Sequence, residues 1–150
     1  MSLKAALLGT ALLTGGAPMT PLLSTATDTL TYQAGQNTFG GITTVTLYGN
    51  GQAKVTRQRG QTRQAFTGTV PPALLKQVNA ALAVALAVKV PGNYQPVPDE
   101  ARIQVKVQAN GQVKTLAFWQ NQAQNTAALG EVLKVLNKVV GIVSGGRVTH

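Results

Sequence analysis

Groups able to make or break bonds are few in this chain. The carboxylates are Asp28, Asp99, Glu100 and Glu131, the one histidine is the last residue, His150, and there is no cysteine. A hydrolase needs a nucleophile held beside a base, or acids placed where a substrate can reach them. The only serines, Ser2, Ser24 and Ser144, lie in the N-terminal segment and in the tail. Asp99 and Glu100 are neighbours, and adjacent carboxylates on an extended segment point apart. They lack the facing geometry of a glycosidase pair or a two-metal clamp. Zinc, calcium and magnesium sites need more suitable ligands than these residues supply. The expectation is a non-enzymatic protein with no catalytic, cofactor-binding or metal-binding residues, one that acts by binding.

For recognition the chain offers positive charge and a few aromatic rings. Thirteen Lys and Arg against four Asp and Glu give a formal charge of +9, while only 11% of residues are charged, so acids are scarce rather than bases abundant. Such a surface attracts anionic partners, and salt screens the attraction. Lys54, Arg57, Arg59 and Arg63 crowd one stretch; in a strand, Arg57 and Arg59 share a face and Lys54 takes the other. They form solvated hairpin surface, a protein-binding patch of Arg donors, or a nucleic-acid contact, although no aromatic interleaves with them as a stacking platform requires. Phe39 sits in the glycine-rich connection 35–41, either folded onto the sheet edge or displayed for recognition. That connection lacks the Gly-Lys-Ser/Thr ending of a phosphate loop and leads into a strand. Tyr94, in the proline-punctuated loop 91–100, is a lid over the core or part of a binding edge. The candidate protein-binding residues are therefore Phe39, Arg57, Arg59, Arg63 and Tyr94.

The elements that must position these residues are legible from period and punctuation. In the stretch 103–119, Ile103, Val105 and Val107 alternate with Gln104, Lys106 and Gln108, and Asn110-Gly111 supplies a hairpin turn before a second run. Leu116 and Phe118 are out of phase with Val113, Ala117 and Trp119, which suggests a bulge or a two-sided strand. The same device occurs sixty positions earlier: Thr43, Val45 and Leu47, then Asn50-Gly51, then Ala53 and Val55. A first strand is expected over 28–34, and residues 65–70 return toward the sheet. Pro71-Pro72 starts a helix, with Leu74, Leu75, Val78, Leu82, Ala85 and Leu86 at helical spacing up to about Val88. A last helix carries Leu129, Val132, Leu133, Leu136, Val139 and Val140, with Gly141 as its stop. Asp99 is positioned to brace the entry to the second hairpin. The fold class implied is α+β: an antiparallel sheet of about four or five strands built from two hairpins, with two helices packed on one face.

One domain is expected over 27–141, with residues 142–150 as a flexible tail. At the N-terminus Lys4 precedes an apolar run, 5–13, that is well short of the ~20 residues that span a bilayer. This is the layout of an export signal, with Ser24-Thr25-Ala26 as a cleavage site. Residues 1–26 are then an export signal and the protein is periplasmic or secreted; a short helix packed on the sheet, in a cytoplasmic protein, is the competing reading.

The order of these elements resembles the emfourin family, small bacterial proteins that inhibit thermolysin-like zinc metalloproteases. It is also similar to uncharacterised bacterial domains of the same general pattern. The resemblance covers roughly 30–140 and rests on Phe39, Gly40 and Gly41, on the helix after Pro71-Pro72, and on the strand from Ile103 ahead of the terminal helix. It implies a protease inhibitor whose partner is a secreted metalloprotease, and no inhibitory residue transfers position by position. A basic nucleic-acid-binding protein and a structural envelope component that oligomerises through its sheet edges are the other two readings.

Overall fold

The computed structural model describes residues 22–36 and 41–148. Six strands, β1 (Thr29–Gln36), β2 (Gly41–Tyr48), β3 (Gln52–Arg59), β4 (Thr62–Thr69), β5 (Arg102–Ala109) and β6 (Gln112–Trp119), form one sheet. Three helices join them: α1 (Pro72–Ala85), α2 (Gln122–Asn125) and α3 (Ala127–Ser144). Every pairing is antiparallel and the spatial order is β4-β3-β2-β1-β5-β6. The first four strands are a meander, and α1 connects its outer strand back to β5, beside β1.

The α+β class and the antiparallel sheet agree with the sequence, whereas six strands exceed the four or five expected. The added strand is β4. Its inward positions are Gln64, Phe66 and Gly68, so it lacks the apolar alternation by which a strand is read, and most of its residues are exposed. An unbroken register with β3, from Gln52↔Thr69 to Arg59↔Thr62, holds it in place.

Side-chain alternation along each strand builds a core on one side of the sheet. One row crosses all six strands: Phe66, Val55, Val45, Tyr32, Val105 and Leu116. Val45 and Val105, from the two hairpins, are thus each one strand away from Tyr32, and both are buried. In β6 there is no bulge: Leu116 and Phe118 face the core while Val113 is exposed. Leu74, Val78, Leu82 and Ala85 of α1 and Leu129, Val132, Leu136 and Val139 of α3 belong to the same buried cluster. Burying a side chain of this size contributes about 1.5–3 kcal/mol, so the interior is the main source of stability.

The two Asn-Gly turns differ. Asn110 and Gly111 both take positive φ, 56° and 72°, as a two-residue hairpin requires. At the earlier turn Gly51 donates to the Tyr48 carbonyl (2.9 Å) and only Gly51 has positive φ, 93°. That is the longer turn with a left-handed residue after it.

Both ends of the expected domain extend further. Helix α3 passes through Gly141, and its stop is Gly145, left-handed at φ 63°. Gly146 N–H reaches back to the Gly141 carbonyl at 2.8 Å, satisfying a terminal acceptor in the manner of a Schellman turn. Val143, Ser144 and Val148 are buried, and the Ser144 hydroxyl accepts from the Val148 N–H at 3.1 Å. Residues 142–148 are therefore part of the fold rather than a flexible tail; His150 lies outside the described residues. At the other end, Leu23 is buried in the core. Its N–H donates to Asn79 Oδ1 (2.9 Å) and its carbonyl accepts from Asn79 Nδ2 (3.1 Å). A domain boundary between 26 and 27 would cut through these contacts, and the rest of the N-terminal segment, 1–21, lies outside the described residues.

Candidate binding surfaces

The side of the sheet away from the core is polar, and no described element covers it. One row across it reads Thr67, Lys54, Thr46, Thr31, Lys106 and Thr115. The next reads Ala65, Thr56, Thr44, Gln33, Gln104 and Ala117, and the one beyond places Arg63 near one edge with Arg102 and Trp119 near the other. Four cations, Lys54, Arg63, Arg102 and Lys106, thus surround a field of hydroxyls and amides. At about 4.8 Å between strands and about 3.4 Å per residue, Lys54 and Lys106 stand about 14 Å apart, and the two rows of charge are also about 14 Å apart. None of the four acids lies on this face; Asp28, Asp99 and Glu100 are outside the strands and Glu131 is on α3. A shallow depression of about 440 Å³ lies here, lined by Thr31, Gln33, Gln104, Lys106 and Thr115.

The four bases seen in the sequence between 54 and 63 separate onto two sides. Lys54 and Arg63 are on the uncovered face, whereas Arg57 and Arg59 are on the side that carries the core, beyond its apolar part. Arg57 donates to the Thr43 hydroxyl at 2.8 Å, and Thr43 is itself buried. Arg57 and Arg59 line a pocket of about 380 Å³ together with Thr62, Gln64, Arg147 and Val148. Arg147 is the residue that sequence reasoning missed, because it was assigned to a loose tail. The signal was Gly145-Gly146, a pair suited to turn the chain back at a helix end.

Phe39 lies outside the described residues. Tyr94 is half-buried, and its hydroxyl donates to both oxygens of Glu100, at 2.9 and 3.0 Å. Glu100, rather than Asp99, braces the loop: it is 5% exposed and also accepts from the Val97 N–H (3.0 Å) and the Asn121 N–H (2.8 Å). Asp99 is exposed and takes φ 64°. Burial pushes the Glu100 carboxyl up, but the amides of Asn121 and Val97 and the Tyr94 hydroxyl outweigh it and hold the group below its ordinary value. Burial, then Glu100, pushes the Tyr94 phenol up. Tyr94 also lines a pocket of about 230 Å³ with Val88, Val90, Pro91 and Leu129. The other structural acid is Asp28, whose carboxylate accepts from the amides of Ser24 (2.8 Å) and Thr25 (2.9 Å). Those two amides hold its carboxyl below the usual range against the opposing effect of burial.

Among the described residues no three His, Cys, Asp or Glu come together as metal ligands, and no helix is long and apolar enough to cross a membrane. No family model and no curated protein matches the chain.

Proposed function

We propose that this chain is a non-catalytic binding domain that takes an acidic protein partner on the uncovered face of its sheet. The observation that carries the reading is the arrangement of Lys54, Arg63, Arg102 and Lys106 around a Thr and Gln field with no acid. Complementary charge steers such an encounter and fixes its orientation, and the hydroxyls and amides supply neutral donors and acceptors within the contact. The resemblance to emfourins makes a secreted thermolysin-like metalloprotease the first partner to try, with the domain acting as its inhibitor. Export from the cell belongs to the same proposal, with processing ahead of Leu22 so that Leu23 stays in the core.

Binding and inhibition are measured against a panel of secreted thermolysin-like proteases, for the natural chain and for Lys54→Glu/Lys106→Glu. Inhibition that is lost on charge reversal is the expected result. No binding to any member removes the inhibitor reading, and binding that survives charge reversal unchanged removes the sheet face.

Nucleic acid is the second reading, favoured by the same cations. Against it, the two aromatic residues on this face among the described residues stand at opposite ends of the sheet, Tyr48 opposite Thr29 and Trp119 opposite Arg102. Successive bases would find no continuous stacking platform. A titration with single-stranded DNA and RNA at low salt, read by Trp119 fluorescence, tests it; affinity falling steeply with salt would support it.

A further inference from the structure

Asn50-Gly51-Gln52 and Asn110-Gly111-Gln112 are the only two Asn-Gly pairs in the sequence, and the residue that follows each is the same. A glycine after asparagine has no Cβ to shield its backbone nitrogen, and that nitrogen is the nucleophile able to displace the amide of the Asn side chain. With the local sequence matched, a difference in this chemistry between the two sites comes from the fold. At the first site the nucleophile and its target are both held. The Gly51 N–H donates to the Tyr48 carbonyl (2.9 Å), the Gly51 carbonyl accepts from the Val70 N–H (2.7 Å), and Asn50 Oδ1 accepts from the Gln52 N–H (3.0 Å). Gly51 is buried, and so is Gly49, against the Thr25 backbone.

The second site is open. Residues 110–115 are all exposed, and a Cβ built on Gly111 would meet nothing within 4 Å. Neither the Gly111 N–H nor the Asn110 side chain makes a hydrogen bond among the described residues. The turn caps the hairpin of β5 with the outermost strand β6, and the pair that closes it is Ala109↔Gln112. The glycine nitrogen must swing onto the Asn side chain, so the rate follows how readily each turn opens. Opening an exposed hairpin tip is a local event, whereas freeing Gly51 breaks its bonds to Tyr48 and Val70. We propose that Asn110 is a site of spontaneous deamidation, selected over Asn50 by the fold. The Gly111 nitrogen attacks Asn110 Cγ, its proton leaves with the side-chain amide as ammonia, and a five-membered succinimide forms. Water then opens the ring. Cleavage of the new bond to Cγ gives aspartate; cleavage at the main-chain carbonyl gives isoaspartate, with the chain running through the side chain. Either product carries one more negative charge, and the isoaspartyl form adds a carbon to the main chain inside a two-residue turn, whose length sets the pairing register.

This chemistry does not depend on the docking reading, and its test needs no partner. The full chain is incubated in mildly alkaline buffer at body temperature, folded in one series and unfolded in guanidinium chloride in the other. Samples taken over time are digested, and mass spectrometry reads the loss of amide at each asparagine. Labelling by an isoaspartyl methyltransferase separates the two products, with Asn110→Asp as the standard for the aspartyl form. In the folded chain Asn110 should lose its amide about tenfold or more faster than Asn50, the factor expected when several hydrogen bonds must break at one site and not at the other. In guanidinium chloride the two sites should react at similar rates, because the sequence around the nucleophile is the same. The proposal is overturned if Asn50 reacts as fast as Asn110 in the folded chain, or if Asn110 keeps its amide there while both sites react in denaturant. It is also overturned if the same excess of Asn110 over Asn50 persists after unfolding, since sequence rather than fold would then set it.

Discussion

Leu23 is the place where the N-terminal boundary of the fold can be tested. Replacing this buried side chain by alanine removes its contacts and leaves a cavity, a change that costs about 2–5 kcal/mol in well-packed sites. Asn79→Ala removes both hydrogen bonds to the Leu23 backbone, at about 1 kcal/mol each. Gly49 gives an independent view of the same docking: a Cβ there would lie 2.3 Å from the Thr25 carbonyl oxygen and 2.6 Å from its nitrogen. Backbone cannot yield as a side-chain tip does, so Gly49→Ala must push the 22–26 segment away, at about 1–3 kcal/mol. All three variants loosen one segment, so their effects overlap. Once Leu23→Ala has released it, Gly49→Ala should cost at least about 1 kcal/mol less than it does alone. Urea unfolding of the full chain and of the single and double variants measures each quantity, provided the slope is unchanged. Against a net stability of about 5–15 kcal/mol for a domain of this kind, these are large effects. Leu23→Ala within about 0.5 kcal/mol of the natural chain, the range of ordinary surface changes, would refute the placement of Leu23 in the core and return the boundary to 26/27.

Acid should weaken the fold through Asp28 and Glu100. Both carboxyls are held below their ordinary values, so their stabilisation is present above the unfolded carboxylate range and is lost as pH falls through the folded values. Asp28→Asn and Glu100→Gln should flatten the acid limb of a stability-pH curve, and an identical limb in both would contradict the assignment. At the alkaline end the raised Tyr94 phenol favours the folded state below the usual tyrosine range, and this is lost as pH rises through the folded value; Tyr94→Phe should remove that part of the alkaline decline. Tyr32→Phe deletes a 3.2 Å hydrogen bond to Asn137 Oδ1 and should cost about 1 kcal/mol in urea unfolding. Arg102 sits 4.9 Å from the centre of the Trp119 ring. Arg102→Ala should shift the emission of this single tryptophan while changing stability by about 1 kcal/mol or less, and an unchanged spectrum would rule the contact out.

How much of this was legible depended on whether a residue's partner lay nearby in sequence. The alternation of Ile103, Val105 and Val107 around a polar face, and the helical spacing of Leu129, Val132 and Leu136, are local patterns, and the structure reproduces both. β4 was only half seen because an edge strand needs one ladder and no apolar face. Gly141 was read as a stop because glycine is a poor helix former. With Val143 and Ser144 beyond it still able to bury themselves, packing overrode that preference. The two-sided split of Arg57 and Arg59 from Lys54 was visible from period two. The arrival of Arg147 beside them was not, since it depends on how a turn at the end of α3 returns over β4. Glu100 was taken for the lesser of two neighbours because nothing local marks the amides of Val97 and Asn121 that converge on it.

Where the charge sits argues for a use beyond solubility. Two of the four acids, Asp28 and Glu100, are buried in loop clamps, so only Asp99 and Glu131 remain to offset the bases at the surface. An excess of one sign keeps molecules apart, and cations on edge strands discourage sheet-to-sheet pairing. Lys114 meets that description: it is exposed on β6, an outermost strand, at a position on the core side of the sheet, opposite Val107. Arg63 on β4, the other outermost strand, can be accounted for in the same way. Lys54, Arg102 and Lys106 cannot, because β3 and β5 are paired on both sides and have no open edge to protect. Lys54 and Lys106 are exposed on these paired strands, where no edge needs them and a negatively charged partner would meet them together, whereas Arg102 is half-buried over the Trp119 ring.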